Sequence, residues 1–211
     1  MLLEHEGRSP TIDPTAYVAP TATLSGDVRV GPGCRVLFGA VLTAEGGPVE
    51  IGEDSIIMEN AVLRGTRRDP LRLGRRVLVG PTSCLTGCQV DDEVFLATGS
   101  RVFNGASIGT RSEIRINGLV HLRTVLPPDS MVPIGWVAVG DPLRILPAED
   151  HDGIWAAQQE LDFPGYVFGL DRPAAGESIM PGIAERYGRA LGRHRDDRQI
   201  QGLAGHSHPL L

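Results

Sequence analysis

Most of the side chains that could do chemistry lie between residues 59 and 88, in ENAVLRG, GTRRDPLR and GPTSCLTGC. Arg64, Arg67 and Arg68 could hold a carboxylate or phosphate through paired N–H donors. Glu59 and Glu45 bring negative charge nearby, while Thr86 and Asn104 offer hydrogen bonds. Cys84 and Cys88 are four apart, but neither stretch contains a histidine, so a mixed thiolate–imidazole metal site is not written here. His121 is the candidate general base of the central chain. His151 sits in EDHDG, and His194, His206 and His208 lie further on, where HSH is a loose metal pattern.

These residues must be positioned by something, and a period of six supplies it. Val18, Leu24, Val30 and Val36 are six apart, as are Ile51, Ile57 and Leu63, and the run from Val90 to Val120. A short strand plus a tight turn takes about six residues, so three units close a coil of about eighteen with one aliphatic per face pointing inward. Extended backward, the longest run places Leu78 and Cys84 inward, which makes Cys84 a small core residue. TAEGGPVE (43–50) and GTRRDPLR (65–72) break the period and read as loops projecting from coil corners.

The totals agree. The 211 residues are 41% hydrophobic but only 5% aromatic, with 27 Gly and 16 Pro. That suits an aliphatic core built from many turns. The net charge is −6 with no block of one sign, which argues against a nucleic-acid surface. All 20 basic residues are Arg, so no Schiff-base lysine and no lysine-bearing phosphate loop is possible. No stretch approaches the ~18 apolar residues of a membrane span. Three cysteines without a secretion pattern fit a reducing cytoplasm.

IDPTAYVAPTATLSGDVRVGPGCRV, IGEDSIIMENAVLRG, VLVGPTSCLTGCQV and the closing VAVGDP resemble the gamma-class carbonic anhydrases and other hexapeptide-repeat proteins. The resemblance runs from Ile12 to Pro147 and implies an all-β, left-handed parallel β-helix over 10–147 that assembles as a homotrimer. That family holds zinc or iron with three histidines at the trimer interface, and the metal makes hydroxide for attack on CO2. The resemblance puts those ligands at Arg64, Pro81 and Thr86, none of which is a metal ligand. The supporting Arg and Asp of the family become Thr43 and Glu45, and a Gln–Asp pair becomes Met58 and Glu59.

The expectation is therefore a vacated metal site with no cofactor. Its pocket is formed by Arg64, Pro81, Thr86, Glu45, Glu59 and Asn104 and is suited to a small anion. Arg64 is expected to pair with Glu59 or Glu45 if no ligand binds. Alternatives are a hexapeptide acyltransferase using coenzyme A with His121 as base, or a carbonic anhydrase with altered zinc ligands. Residues 148–211 form a C-terminal α-helical and aromatic extension, with helices near 148–161 and 178–194. It packs on the β-helix or on a neighbouring subunit and braces the trimer, and QGLAGHSHPLL is expected to fray.

Overall fold

The structure, a computed structural model, describes residues 1–200. Three sheets of ten, seven and seven strands form the three faces of a left-handed parallel β-helix. Each strand pairs with the one a full coil later. Ile12 lies beside Val30 and Val18 beside Val36, so each of these coils holds three complete hexapeptides. Most strands have two or three residues, with one aliphatic turned inward and its neighbours outward. Leu24, Leu42, Leu63 and Leu85 stack into one fully buried ladder. Coil stacking thus supplies both the hydrogen bonds and the apolar burial that no single coil could provide.

The two interruptions are not loops over their whole length. Val41–Glu45 and Val62–Thr66 are five-residue strands that pair along all five positions. Leu42, Ala44, Leu63 and Gly65 point inward, and Thr43, Glu45, Arg64 and Thr66 alternate outward. This period of two was masked by the period of six. Leu42 pairs with Leu63 and Leu63 with Leu85, so these coils are longer than three hexapeptides, and the additional positions widen the ten-stranded face. Only the turns 46–48 and 67–70 project. They press together so closely that a Cβ on Gly47 would stand 2.0 Å from the Thr66 carbonyl oxygen.

The expected inward register fails at Leu78 and Cys84. Val79 and Leu85 point inward instead, and Cys84 is exposed. Leu85 pairs with Val102, one position short of three hexapeptides, because the corner at Gly87, with φ 50°, is tightened. The period slips there by one.

The ten-stranded face also gains strands outside 10–147. Leu2–Glu4 adds in parallel beside Thr23–Ser25, and Arg198–Ile200 adds antiparallel beside Leu2–Glu4. At the other end Arg144–Leu146 folds back antiparallel on Val137–Val139. Helix α1, His151–Glu160, starts at Asp150, whose carboxylate accepts the Gly153 N–H at 3.0 Å. Ala157 and Leu161 then pack with Phe163, Tyr166 and Val167 over Leu122 and Val139. Helix α2 spans Met180–Leu191 and leads through a 3-10 turn to Asp197. The expected fraying of 201–211 lies outside the described residues.

Candidate functional site

Thr43, Arg64 and Thr86 are direct neighbours across three adjacent strands of the ten-stranded face, all pointing outward. The C-terminal segment of the same chain reaches the middle one, Arg64. Its path is fixed by edge-to-face aromatic contacts from Phe103 to Phe163, then Phe168, then Tyr187, with ring centroids 6.4, 5.9 and 5.8 Å apart. Each such pair contributes ~0.5–1.5 kcal/mol beyond its buried area. Tyr166 anchors the path's middle. Its hydroxyl donates to Asp69 at 2.8 Å, and the Arg68 guanidinium lies 3.9 Å above its ring.

At the end of this path Arg64 Nη1 donates to the Tyr187 hydroxyl at 2.9 Å. The expected pairing with Glu59 or Glu45 does not form. No ion pair involves Arg64 among the described residues, and Glu45 is engaged elsewhere. Arg64 Nε and Thr43 Oγ1 are both buried without a hydrogen-bond partner. The two unpaired polar atoms belong to residues that pair across neighbouring strands, and burial leaves a cost of ~1–3 kcal/mol per group unless something satisfies them.

Two residues along the same strand, Glu45 belongs to a second cluster. His5 and His194 stack at 4.3 Å between ring centroids, with 23° between planes. Asp197 accepts from both: His5 Nδ1–H donates to Oδ1 at 2.6 Å and His194 Nδ1–H to Oδ2 at 2.8 Å. His194 Nε2 lies 3.0 and 3.2 Å from the two Glu45 oxygens. Burial alone would lower the His194 pKa, but the Asp197 and Glu45 carboxylates overcome that and raise it. His5 is 3% exposed, and its Nε2 has no hydrogen-bond partner.

No family model matches the chain. Gamma carbonic anhydrase 1 of Arabidopsis thaliana mitochondria is 29% identical over 145 residues, covering 66% of this chain and 50% of its own length. The carboxysome assembly protein CcmM of Synechococcus elongatus is 34% identical over 138 residues, 60% of this chain and 25% of that one. Among solved structures, a putative acetyltransferase of Bacillus cereus aligns with 25% identity and TM-score 0.57, over 75% of this chain and 90% of that one. The chain is similar in sequence to the gamma carbonic anhydrases and shares the left-handed β-helix of hexapeptide-repeat proteins. It spans about half the length of the mitochondrial relatives it matches.

Within this gamma carbonic anhydrase-like protein the remaining expected residues are scattered. Glu59 and Pro81 lie on successive coils at the corner leading into the face, where the Glu59 carbonyl accepts from Thr82 N at 3.0 Å and that of Pro81 from Gly99 N at 2.9 Å. They do not meet Arg64. Asn104 is buried at the opposite corner near Gly87, on the Asp69 side. His121 is 8% exposed and stacks on Phe103 at 5.7 Å. Burial lowers its pKa, and its Nδ1 has no partner. A general base was the expectation, but the imidazole is buried against Phe103. Sequence reasoning missed His5, Asp197 and Tyr187. No local spacing marks them, because they meet only after the fold has brought residues near the start of the chain beside those near 200, as the Leu2–Glu4 and Arg198–Ile200 pairing does.

Proposed function

We propose that this protein has given up CO2 hydration at the position where its family holds metal, and binds a small oxyanion there. The observation that carries this reading is the placement of Arg64. The resemblance puts family metal positions at Arg64 and Thr86, and these are cross-strand neighbours on the ten-stranded face. Arginine stays protonated at any working pH and repels a divalent cation. A threonine hydroxyl is a poor zinc ligand, and Pro81 has no ligand atom. The residues do not fit the family's metal, so no step is routed through it.

They fit an anion. Arg64 Nε and Thr43 Oγ1 are free donors, and Tyr187 steadies the guanidinium from the other side. A carboxylate, bicarbonate or phosphate oxygen would accept from both and neutralise a half-buried charge that otherwise lacks a counter-ion. We further place the protein in the cytoplasm as a homotrimer, with the Pro81 corner towards the neighbouring subunit. The described cysteines are all free, and no helix among the described residues is long and apolar enough to cross a membrane. Nothing in the geometry favours acyl transfer, since His121 lies behind Phe103 and reaches no open surface as a base.

The test pairs two measurements on the purified full chain. Stopped-flow CO2 hydration should not exceed the buffer rate. Bicarbonate and phosphate should raise Tm in a saturable way, because a ligand of the native state stabilises by mass action. Arg64→Met should abolish that increment whatever its own Tm. Hydration above background, or an increment that persists in Arg64→Met, would overturn the reading. Sedimentation gives the assembly, and a monomer would remove the trimer.

A further inference from the structure

We infer that His5, His194 and Glu45 form a divalent-metal site of the zinc type, distinct from the position that the family resemblance assigns to metal. The three side chains each offer a ligand atom, and all three atoms lie within 4.8 Å of one another. Two ligand atoms each ~2.0–2.1 Å from a tetrahedral zinc stand about 3.3 Å apart. The His194 Nε2 to Glu45 separations of 3.0 and 3.2 Å are close to that edge.

Protonation makes the case sharper. A carboxylate only accepts, so the two bonds to Asp197 fix a hydrogen on Nδ1 of both histidines. A neutral imidazole in that tautomer presents a lone pair at Nε2. His194 Nε2 faces the Glu45 carboxylate, so acceptor faces acceptor unless a positive charge lies between them. A proton would serve His194 and Glu45 but would leave His5 Nε2 as it is, buried and unpaired; the Glu6 carboxylate oxygen is 4.0 Å away. A cation between His194 and Glu45 relieves that clash and comes within reach of His5 when the His5 ring turns out of its stack on His194. One carboxylate orienting two imidazoles through their far nitrogens is also what ligating histidines need from their surroundings. Two imidazoles and one carboxylate suit zinc among the first-row metals and leave a fourth position for water.

Access exists. His5, Ala44, Gly46 and Arg67 line a pocket of about 250 Å³ beside the cluster. The site would tie three separate parts of the chain, namely the Leu2–Glu4 strand, the outward end of Val41–Glu45 and the turn after α2.

The experiment is calorimetric titration of chelator-treated full chain with ZnCl2, alongside the absorbance spectrum on adding Co2+. One Zn2+ per chain with Kd below about 10 μM is expected, with intense four-coordinate Co2+ bands. Asp197→Asn should weaken binding about 10- to 100-fold and His194→Gln by more. Arg64→Met and the double variant His206→Ala, His208→Ala should bind as the parent does, which separates this site from the anion site and from HSH. Failure to bind, a weak six-coordinate Co2+ spectrum, or affinity unchanged in His194→Gln would overturn the inference. So would loss of binding in the His206, His208 variant. The Co2+ spectrum decides the matter if a variant fails to fold.

Discussion

Asp197→Ala should unfasten the segment that lies over the Arg64 face. Asp197 is the one carboxylate shared by two imidazoles, and its removal affects them unequally. The His5 side chain is 2% exposed, so its Nδ1–H would lose its acceptor with no water to replace it. A buried donor stranded in this way costs ~1–3 kcal/mol. The His194 side chain is 32% exposed and can turn to solvent, which adds under ~1 kcal/mol. The total is ~1–4 kcal/mol, or a fall in Tm on the order of 10 °C at the upper end if the segment unfolds together with the coils. Chelator-treated protein should be used, so that only the hydrogen bonds are read. Hydrogen exchange then locates the loss: amides of Leu2–Glu4 and Arg198–Ile200 should lose protection first, with those of the Leu63 and Leu85 strands unaffected. Two results would refute the reasoning that this carboxylate holds the segment down. One is a change below ~0.5 kcal/mol, the size of an ordinary surface substitution. The other is loss of protection spread evenly over all coils.

Other outcomes follow from the same structure. Gly47→Ala should destabilise by more than ~3 kcal/mol in urea denaturation, because its Cβ would meet the Thr66 backbone carbonyl at 2.0 Å and backbone cannot step aside as a side chain can. A thiol reagent should modify no more than one cysteine, Cys84, in the native protein; Cys34 and Cys88 are buried and burial raises both their pKa values, so two or three fast reactions would contradict their placement. His121 and His194 should pull the pH dependence in opposite directions. Burial lowers the His121 pKa, so as pH falls below about 6.5 the unfolded chain takes a proton the folded one refuses, and stability drops. The raised His194 pKa contributes stability that is complete below about 6.5 and is lost as pH rises through the higher folded value. Urea midpoints between pH 5 and 8 should therefore show a shallower acid loss in His121→Leu and a steeper one in His194→Gln. Parallel profiles would count against both assignments.

The coil was legible because one aliphatic per six residues is what a three-faced helix demands, and Val90 to Val120 repeat it without error. It was less legible where the face widens. In Val41–Glu45 and Val62–Thr66 a strand alternates with period two, and a search tuned to six reads that as a gap. Cys84 was misplaced because a single missing residue at Gly87 moves every inward position upstream by one. Arg64 was legible as an odd charge in a structural frame, but its partner was not. The nearby carboxylate, Glu45, is taken by His194, and Arg64 meets Tyr187 instead. Both partners come from an extension whose sequence carries helix and aromatic patterns but nothing about where it lands. Contacts between residues at opposite ends of a chain leave no local trace, and the His5–Asp197–His194 arrangement is wholly of that kind.

A spiral of stacked strands has, in principle, no reason to stop: the last rung of one molecule offers a template to the first rung of another. Here the ten-stranded face ends at both sides in a three-residue strand running the wrong way, Arg198–Ile200 at one end and Arg144–Leu146 at the other. A second copy arriving in the parallel sense would meet a reversed pattern of donors and acceptors and a rung too short to guide it. The reversed strands therefore act as chain terminators for end-to-end fibre growth. Loosening the Arg198–Ile200 strand would do more than free a tail, because it would expose the parallel edge of Leu2–Glu4 and make the protein prone to stack on itself.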